Sequence, residues 1–180
     1  MNNRSLRSRY LLVLGCLFAL SACGTRWHQV NADEGRFTIL MPGVPTIVAS
    51  DGPSDGWTGQ VWSVDTRRQG WLLQPRTTVF YWARAQDLPT GWTAERVVEK
   101  YINDRTKTPL SGARVQRTPI RLGGYGAFDV VFETSQVNLA LRICVVAQRV
   151  YSAEAMSPAD LPDNKERAQF FDSFRIETRR

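Results

Sequence analysis

Four strand-like segments follow one another in the C-terminal half of the chain, with only two residues between neighbours. They are rich in β-branched and aromatic residues and cover residues 114–122, 125–134, 137–146 and 149–154. Connections such as Ser135-Gln136 and Ala147-Gln148 are too short for a parallel crossover, which needs about a dozen residues or more. The spacing therefore predicts an antiparallel meander in this half of the chain.

The N-terminal half of the sequence also favours strands. In residues 35–41, Phe37, Ile39 and Met41 alternate with Arg36, Thr38 and Leu40, which is the period of two expected for a half-buried strand. Pro42-Gly43 ends this segment. Composition and pattern predict the remaining elements of this half as a short strand at 44–49, a surface loop at 51–56, and strands at 57–67 and 76–84.

Two segments have the period of amphipathic helices. Residues 93–102 predict a helix that Thr93 is placed to cap. Its apolar face consists of Ala94, Val97, Val98, Tyr101 and Ile102. Residues 163–173 predict a second helix with Ala168, Phe171 and Phe174 on one side.

The order of these elements indicates the fold class. Strands, a helix, more strands and a closing helix, without βαβ alternation, are typical of an α+β fold. We expect a single layered domain with a mainly antiparallel β-sheet flanked by helices. Without residues 1–22 the chain keeps 158 of its 180 residues, which fits the roughly 100 to 200 residues of one domain.

The N-terminus has the parts of a secretory signal peptide. Three arginines within the first nine residues precede an apolar run at 10–20, which is shorter than the roughly 20 apolar residues of a membrane span. The run ends in Leu20-Ser21-Ala22-Cys23, which resembles the lipobox of bacterial lipoproteins. The resemblance implies cleavage after Ala22, a diacylglycerol thioether on Cys23 and acylation of the new amino group. The alternative is an ordinary cleaved signal with an incidental cysteine.

These features divide the chain into a signal peptide at 1–22, a lipidated cysteine with a short tether at 23–26, and an α+β domain at 27–180. A tether of three or four residues reaches only about 10 to 14 Å, so we expect the domain to lie close to the bilayer. Gly24 follows the cysteine where the resembling lipoproteins of the inner membrane have aspartate. We therefore expect the periplasmic face of the outer membrane.

The charge pattern argues against nucleic acid as a partner. The full chain has a formal net charge of +6, and three of its arginines lie in residues 1–22, so an excess of three basic residues remains after cleavage. Acidic residues are interleaved with the basic ones, whereas nucleic-acid-binding proteins usually cluster their basic residues. The expected partners are the membrane, through the lipid on Cys23, and an envelope protein.

The chain has few residues of the types that catalytic sites commonly use. His28 is its only histidine, so neither a Ser-His-acid triad nor a histidine-based metal site is expected. Asp33 and Glu34 precede a strand, where solvated turn residues explain them. Cys144 lies in the strand-like run 141–146 and is expected to be a buried thiol. We expect no enzymatic activity, cofactor or metal, although carboxylate pairs from different strands, as in glycoside hydrolases, stay open.

Several segments resemble bacterial proteins of uncharacterised function with a PsbP-like or DcrB-like domain. The resemblance rests on Trp27-His28-Gln29-Val30, residues 34–45 with Gly35-Arg36-Phe37 and Pro42-Gly43-Val44-Pro45, Gly124-Tyr125-Gly126-Ala127, Arg149-Val150-Tyr151, and Phe170-Phe171-Asp172-Ser173-Phe174-Arg175-Ile176. It implies an αβα sandwich around an antiparallel sheet, and often a lipoprotein anchor. It carries over no functional residue. Phe37 and Phe174 are expected to be core residues that join the first strand and the last helix to the sheet.

Tryptophan is the remaining functional signal. The chain has six, of which five lie around the middle strands: Trp57, Trp62, Trp71, Trp82 and Trp92. Together with the short tether, they favour a non-catalytic interaction module at the membrane surface. The alternative is a carrier of a small ligand or cell-wall glycan, which needs a deep pocket lined by Trp62, Trp82 or Trp92. A flat apolar patch rimmed by arginines would indicate a protein partner instead.

Overall fold

Two antiparallel sheets and two helices make up the part of the chain that the computed structural model describes, residues 25–51, 58–68, 77–107, 110–161 and 165–177. The strands are β1 (His28–Ala32), β2 (Phe37–Met41), β3 (Thr46–Asp51), β4 (Thr58–Arg68), β5 (Thr77–Asp87), β6 (Arg114–Leu122), β7 (Tyr125–Glu133), β8 (Val137–Val146), β9 (Arg149–Pro158) and β10 (Arg175–Ile176). The helices are α1 (Ala94–Lys107) and α2 (Lys165–Asp172).

The larger sheet has seven strands in the order β3-β4-β5-β9-β8-β7-β6, and every pair is antiparallel. Its last four strands are sequence neighbours, which confirms the predicted meander. Ala147 and Gln148 connect β8 to β9 with φ angles of 48° and 61°. Two successive residues at positive φ match the right-handed twist of the flanking strands, so this turn closes a tight hairpin.

The smaller sheet has the order β1-β2-β10, with Val30 opposite Ile39 and Arg175 opposite Thr38. The sequence does not predict β1 as a strand. Only two of its five residues, Val30 and Ala32, are buried, and two apolar positions are too few to form a readable alternation. Its pairing with β2 across a four-residue turn therefore became visible only in the structure.

The two faces of the seven-stranded sheet are covered by different elements. Helix α1 lies on one face, where Val97, Val98 and Tyr101 pack against apolar residues of β7, β8 and β9. The smaller sheet and α2 lie on the other face. This layering agrees with the α+β arrangement expected from the sequence.

The core beneath the smaller sheet is built on aromatic edge-to-face contacts. The Phe37 ring meets Trp62 at a centroid distance of 4.9 Å and Phe174 at 5.6 Å. Phe37 and Phe174 have no exposed surface. Both predicted core residues are confirmed, because β2 and the segment after α2 meet the sheet through these rings.

Helix α1 begins where the sequence predicts and extends further. The Arg96 amide donates to Thr93 Oγ1 at 3.3 Å, which confirms Thr93 as the cap. The helix continues five residues beyond the predicted end, to Lys107. Its last turn is stabilised by the Thr106 hydroxyl, which donates to the Ile102 carbonyl at 2.8 Å, and by Arg105, which reaches the sheet.

The predicted apolar side of α2 was wrong in part. Phe170 is the fully buried residue of this helix, Phe171 is half-buried and Ala168 is exposed. The chain turns at Ser173, whose hydroxyl accepts from the Leu40 amide and donates to the Phe170 carbonyl. This turn directs Phe170 and the following Phe174 to the same side, so the inward face is shifted by one residue from the prediction.

Candidate functional site

The edge strand β3 and the residue Val44 just before it carry the large apolar side chains that are most exposed in the described part of the chain. The exposed fractions are 76% for Val44, 59% for Ile47 and 55% for Val48. Among the described residues β3 pairs only with β4, so its other edge has no strand beside it. Because successive side chains of a strand point to opposite faces, Ile47 and Val48 place apolar groups on both sides of this edge.

The opposite edge of the sheet has a different composition. Strand β6 exposes three arginines and a proline, at Arg114, Arg117, Arg121 and Pro119. Charged residues and proline on an edge strand discourage pairing with another chain. Thr46–Ala49 of β3 contains neither, so the two edges of the same sheet differ in their capacity to accept a further strand.

The face that α1 occupies carries both apolar and polar side chains beside β3. Val48 is opposite Val61 in β4, while Phe80 and Trp82 on the same face of β5 are opposite Asp65 and Ser63. The Phe80 and Trp82 rings are half-buried and stack with a centroid distance of 5.7 Å and an angle of 8°. The partly exposed Arg84 borders this surface. The face of a sheet is broad and flat, which suits a protein partner better than a small ligand.

Two of the described tryptophans, Trp62 and Trp92, are placed differently from the pocket lining that a carrier requires. Trp62 borders a cavity of about 270 Å³, but only 4% of the residue is exposed and its ring contacts Phe37. The Trp92 ring is covered by the Arg96 guanidinium at 4.4 Å. Trp57 and Trp71 lie outside the described residues.

The residues considered for catalysis lie apart from one another. His28 begins β1, whereas Asp33 and Glu34 are exposed in the turn after it. Cys144 is 1% exposed, its thiol donates to the Gly126 carbonyl at 3.3 Å, and burial raises its pKa to about 11. The expectation of a buried thiol is confirmed by its exposure, and a pKa raised in this direction disfavours the thiolate at neutral pH.

A buried ionic cluster lies between α1 and the sheet. Glu154 of β9 is 1% exposed, and its carboxylate oxygens lie 2.9 Å from Arg105 Nη2 and 3.3 Å from Arg84 Nε. Ser152 Oγ lies 3.4 Å from the same carboxylate. Burial and the nearby Glu154 charge raise the pKa of Tyr101, which lies beside the cluster. Helix α1 covers these groups, so they join the helix to the sheet.

Neither a metal site nor a membrane-spanning helix is found in the described parts of the chain. Their His, Cys, Asp and Glu side chains form no group of three or more that could hold a metal ion. Neither described helix is long and apolar enough to cross a bilayer. Cys23, the expected lipid attachment site, lies outside the described residues.

Comparison with known proteins identifies the architecture. No protein-family model and no curated protein sequence matches this chain. A solved structure that is similar is the solution structure of cyanobacterial PsbP (CyanoP) from Synechocystis sp. PCC 6803, with a TM-score of 0.53 and 11% sequence identity over 86% of this chain and 95% of that chain. The fold is PsbP-like. At this identity the likeness shows the fold alone, while the DcrB-like part of the resemblance stays a prediction.

Within this PsbP-like fold, the sequence predicted β3 but did not single out its exposed residues. The signal that could have found them is the run Thr46-Ile47-Val48-Ala49, in which apolar residues are adjacent rather than alternating and no charge intervenes. A strand with one buried face alternates. Adjacent apolar residues indicate a strand that is apolar on both faces, but only the sheet order shows that it lies at an edge.

Proposed function

We propose that this chain is an exported lipoprotein, acylated at Cys23, that works as a non-catalytic interaction module on the periplasmic face of the outer membrane. The anchor is supported by the basic N-terminus, the short apolar run and the sequence Leu20-Ser21-Ala22-Cys23. Two or three acyl chains make release from a membrane negligible, whereas one chain binds only marginally.

The observation that carries the interaction role is the edge of β3. A partner that adds an extended segment beside β3 forms backbone hydrogen bonds along the edge, and side-chain contacts on both faces supply specificity. Ile47 and Val48 are exposed on opposite faces of the strand, and Val44 precedes it. The proposed partner is therefore a protein with an extended, largely apolar segment.

The start of the described chain supports an orientation for the anchored domain. Thr25 Oγ1 donates to Glu166 Oε1 in the first turn of α2 at 2.7 Å. Cys23 is two residues earlier, which is about 7 Å at full extension, so a lipid on Cys23 places α2 beside the bilayer. The opposite face of the seven-stranded sheet, with Val48 and Trp82, then points away from the anchored end.

Metabolic labelling tests the anchor. Cells that express the full chain with labelled palmitate should label this protein, and the Cys23→Ser variant should remain unlabelled. Cys16→Ser is the matched control, because Cys16 lies within the signal peptide and should leave labelling unchanged. Palmitate that persists on Cys23→Ser would overturn the anchor.

Crosslinking in the native envelope, followed by mass spectrometry, tests the partner. We expect one reproducible protein adduct that the Ile47→Lys, Val48→Lys double variant loses. The Gln116→Lys, Thr118→Lys double variant adds the same two charges on the exposed β6 edge and should retain the adduct. A tightly bound glycan or lipid without a protein partner would overturn the interaction module in favour of the carrier.

A further inference from the structure

A cleft of about 350 Å³ lies at the end of the sheets where several turns meet. It is formed by the turn between β1 and β2, the turn between β8 and β9, the start of β7 and the residues that follow β10. Its polar lining includes Arg36, Arg149, Tyr125, Tyr151 and Glu177. The volume is at the lower end of the roughly 300 to 1,000 Å³ of small-molecule sites.

Arg149 lines this cleft and is held in place by three hydrogen bonds. Its Nε and Nη2 donate to the two carboxylate oxygens of Asp87 at 2.6 and 3.0 Å, and its Nη1 donates to the Glu34 carbonyl at 2.6 Å. A bidentate arginine–carboxylate pair fixes the plane of the guanidinium. Because Asp87 neutralises Arg149, this pair sets the geometry of the cleft and contributes little net charge.

Arg36 supplies the second guanidinium. Its backbone has a φ of 55°, and its carbonyl accepts from the Glu177 amide at 2.9 Å. Its side chain is exposed, and its positive charge lies close enough to Asp87 to help lower the pKa of that carboxyl. Residues held in the left-handed region cost free energy and collect at functional sites. The backbone therefore holds the Cα atom of Arg36 in place, and the guanidinium has N–H donors available to a ligand.

Tyr151 adds a hydroxyl donor. Burial raises the pKa of Tyr151, so the phenol is protonated at neutral pH. The positive charges of Arg149 and Arg36 oppose this rise, and the neutral phenol keeps its O–H proton to donate to an acceptor. Val146 and Ile176 line the same cleft with apolar groups.

We propose that this cleft binds the carboxylate group of a small, partly apolar molecule, with Arg36 and the Tyr151 hydroxyl donating to the carboxylate and Val146 and Ile176 contacting the apolar part. The planar guanidinium matches a carboxylate in two parallel hydrogen bonds. The Asp87 and Glu177 carboxylates line the same cleft and offset the two arginine charges, so a doubly charged phosphate loses more hydration free energy on entry than a singly charged carboxylate without a matching electrostatic gain.

The position of the cleft favours a soluble ligand over a lipid headgroup. His28 begins β1 beside the tether, and Arg36 follows the other end of that strand. Five residues of strand span about 13 Å between their first and last Cα atoms, so the cleft lies at the end of the smaller sheet remote from Cys23. This step rests on the proposed anchor, whereas the carboxylate chemistry does not.

Titration with benzoate tests the site. The full-length ¹⁵N-labelled protein in detergent is titrated with benzoate, with benzamide as an uncharged ligand of the same shape and phenyl phosphate as the doubly charged one. We expect benzoate to bind with a dissociation constant of about 1 mM and to shift the amide resonances around Arg36 and Tyr151. Benzamide should not produce these shifts, and phenyl phosphate should bind more weakly than benzoate.

Matched variants assign the binding to Arg36. Arg36→Gln should weaken benzoate binding by about tenfold or more, because a charge-assisted hydrogen-bond pair is lost. Arg114→Gln removes the same charge from the exposed β6 edge and should leave the dissociation constant unchanged. Unchanged resonances away from the cleft show that each variant is folded, and Tyr151→Phe gives a second, milder loss. The carboxylate site would be overturned if Arg36→Gln and Arg114→Gln bound benzoate equally well. It would also be overturned if phenyl phosphate or benzamide bound more tightly than benzoate.

Discussion

Arg105 in the last turn of α1 donates from Nη2 to Glu154 of β9 across 2.9 Å, and this contact joins the helix to the middle of the seven-stranded sheet. The carboxylate is 1% exposed, whereas 30% of the Arg105 side chain is exposed. Glu154 is therefore the buried partner whose charge must be compensated. Its neighbours Arg84 and Arg105 supply two positive charges for one negative charge.

Removal of the Glu154 charge should destabilise the domain strongly. Glu154→Gln leaves two partly buried arginines without their counter-charge, and breaking a buried pair in this way costs about 3 kcal/mol or more of unfolding free energy. Glu99→Gln is the control, because Glu99 pairs with Arg117 on the surface with 59% of its side chain exposed and should cost less than about 1 kcal/mol. Chemical denaturation measures both losses, and equal losses would contradict a special role for Glu154.

The Asp87–Arg149 pair should stabilise the fold in a pH-dependent manner. The hydrogen bond from Arg149 holds the pKa of Asp87 below its usual value. Its stabilisation is fully present above the unfolded-state pKa of about 3.9 and is lost as the pH falls through the lower folded-state pKa. The melting temperatures of the wild type and of Asp87→Asn should differ at pH 7 and converge in strong acid. A difference that grows as the pH falls would have the wrong sign.

The Cys144 thiol should react very slowly with thiol reagents in the folded protein. With its pKa raised to about 11, the thiol has very little thiolate at pH 8. We expect an aromatic disulfide reagent at pH 8 to react with native Cys144 at least about 100-fold more slowly than with the denatured chain. Rapid labelling under native conditions would mean that the thiol is more accessible than its 1% exposure indicates.

The inward face of α2 can be tested with two adjacent phenylalanines. Phe170 is fully buried and meets Tyr81 at a ring distance of 5.0 Å, whereas Phe171 is half-buried. Phe170→Ala should lower the unfolding free energy by about 3 to 5 kcal/mol. Phe171→Ala should cost clearly less, because less apolar surface is lost. A larger loss of unfolding free energy for Phe171→Ala than for Phe170→Ala would show instead that Phe171 lies on the inward face, as predicted from the sequence.

Much of the fold could be predicted from the sequence because local patterns determine it. Two-residue connections define the meander, alternation defines β2, and Thr93 marks the start of α1. Where the pattern is weak the sequence fails: β1 has only two inward apolar positions, and α2 is short enough that its inward face depends on the turn at Ser173. Tertiary contacts between residues distant in the chain determine these features, and a short stretch of sequence does not show such contacts.

The candidate sites were less predictable than the fold. Ile47 and Val48 are recognisable as strand residues, but their exposure follows from the position of β3 at the end of the strand order. Arg36 and Tyr151 are 115 residues apart in the chain and meet only because the turns after β1 and β8 lie at the same end of the sheets. The spacing of residues in the sequence does not show that these two turns lie side by side in the fold.

Site-specific photocrosslinking in the native envelope tests the interaction role most directly. A photoreactive amino acid is placed at position 47, 48 or 118 of the full-length, lipidated chain. If a partner adds a strand to β3, positions 47 and 48 contact it from opposite faces, so both should crosslink to the same short segment of one protein, and position 118 should not. Adducts at 47 and 48 that match those at 118, or that contain glycan or lipid instead of protein, would contradict the account.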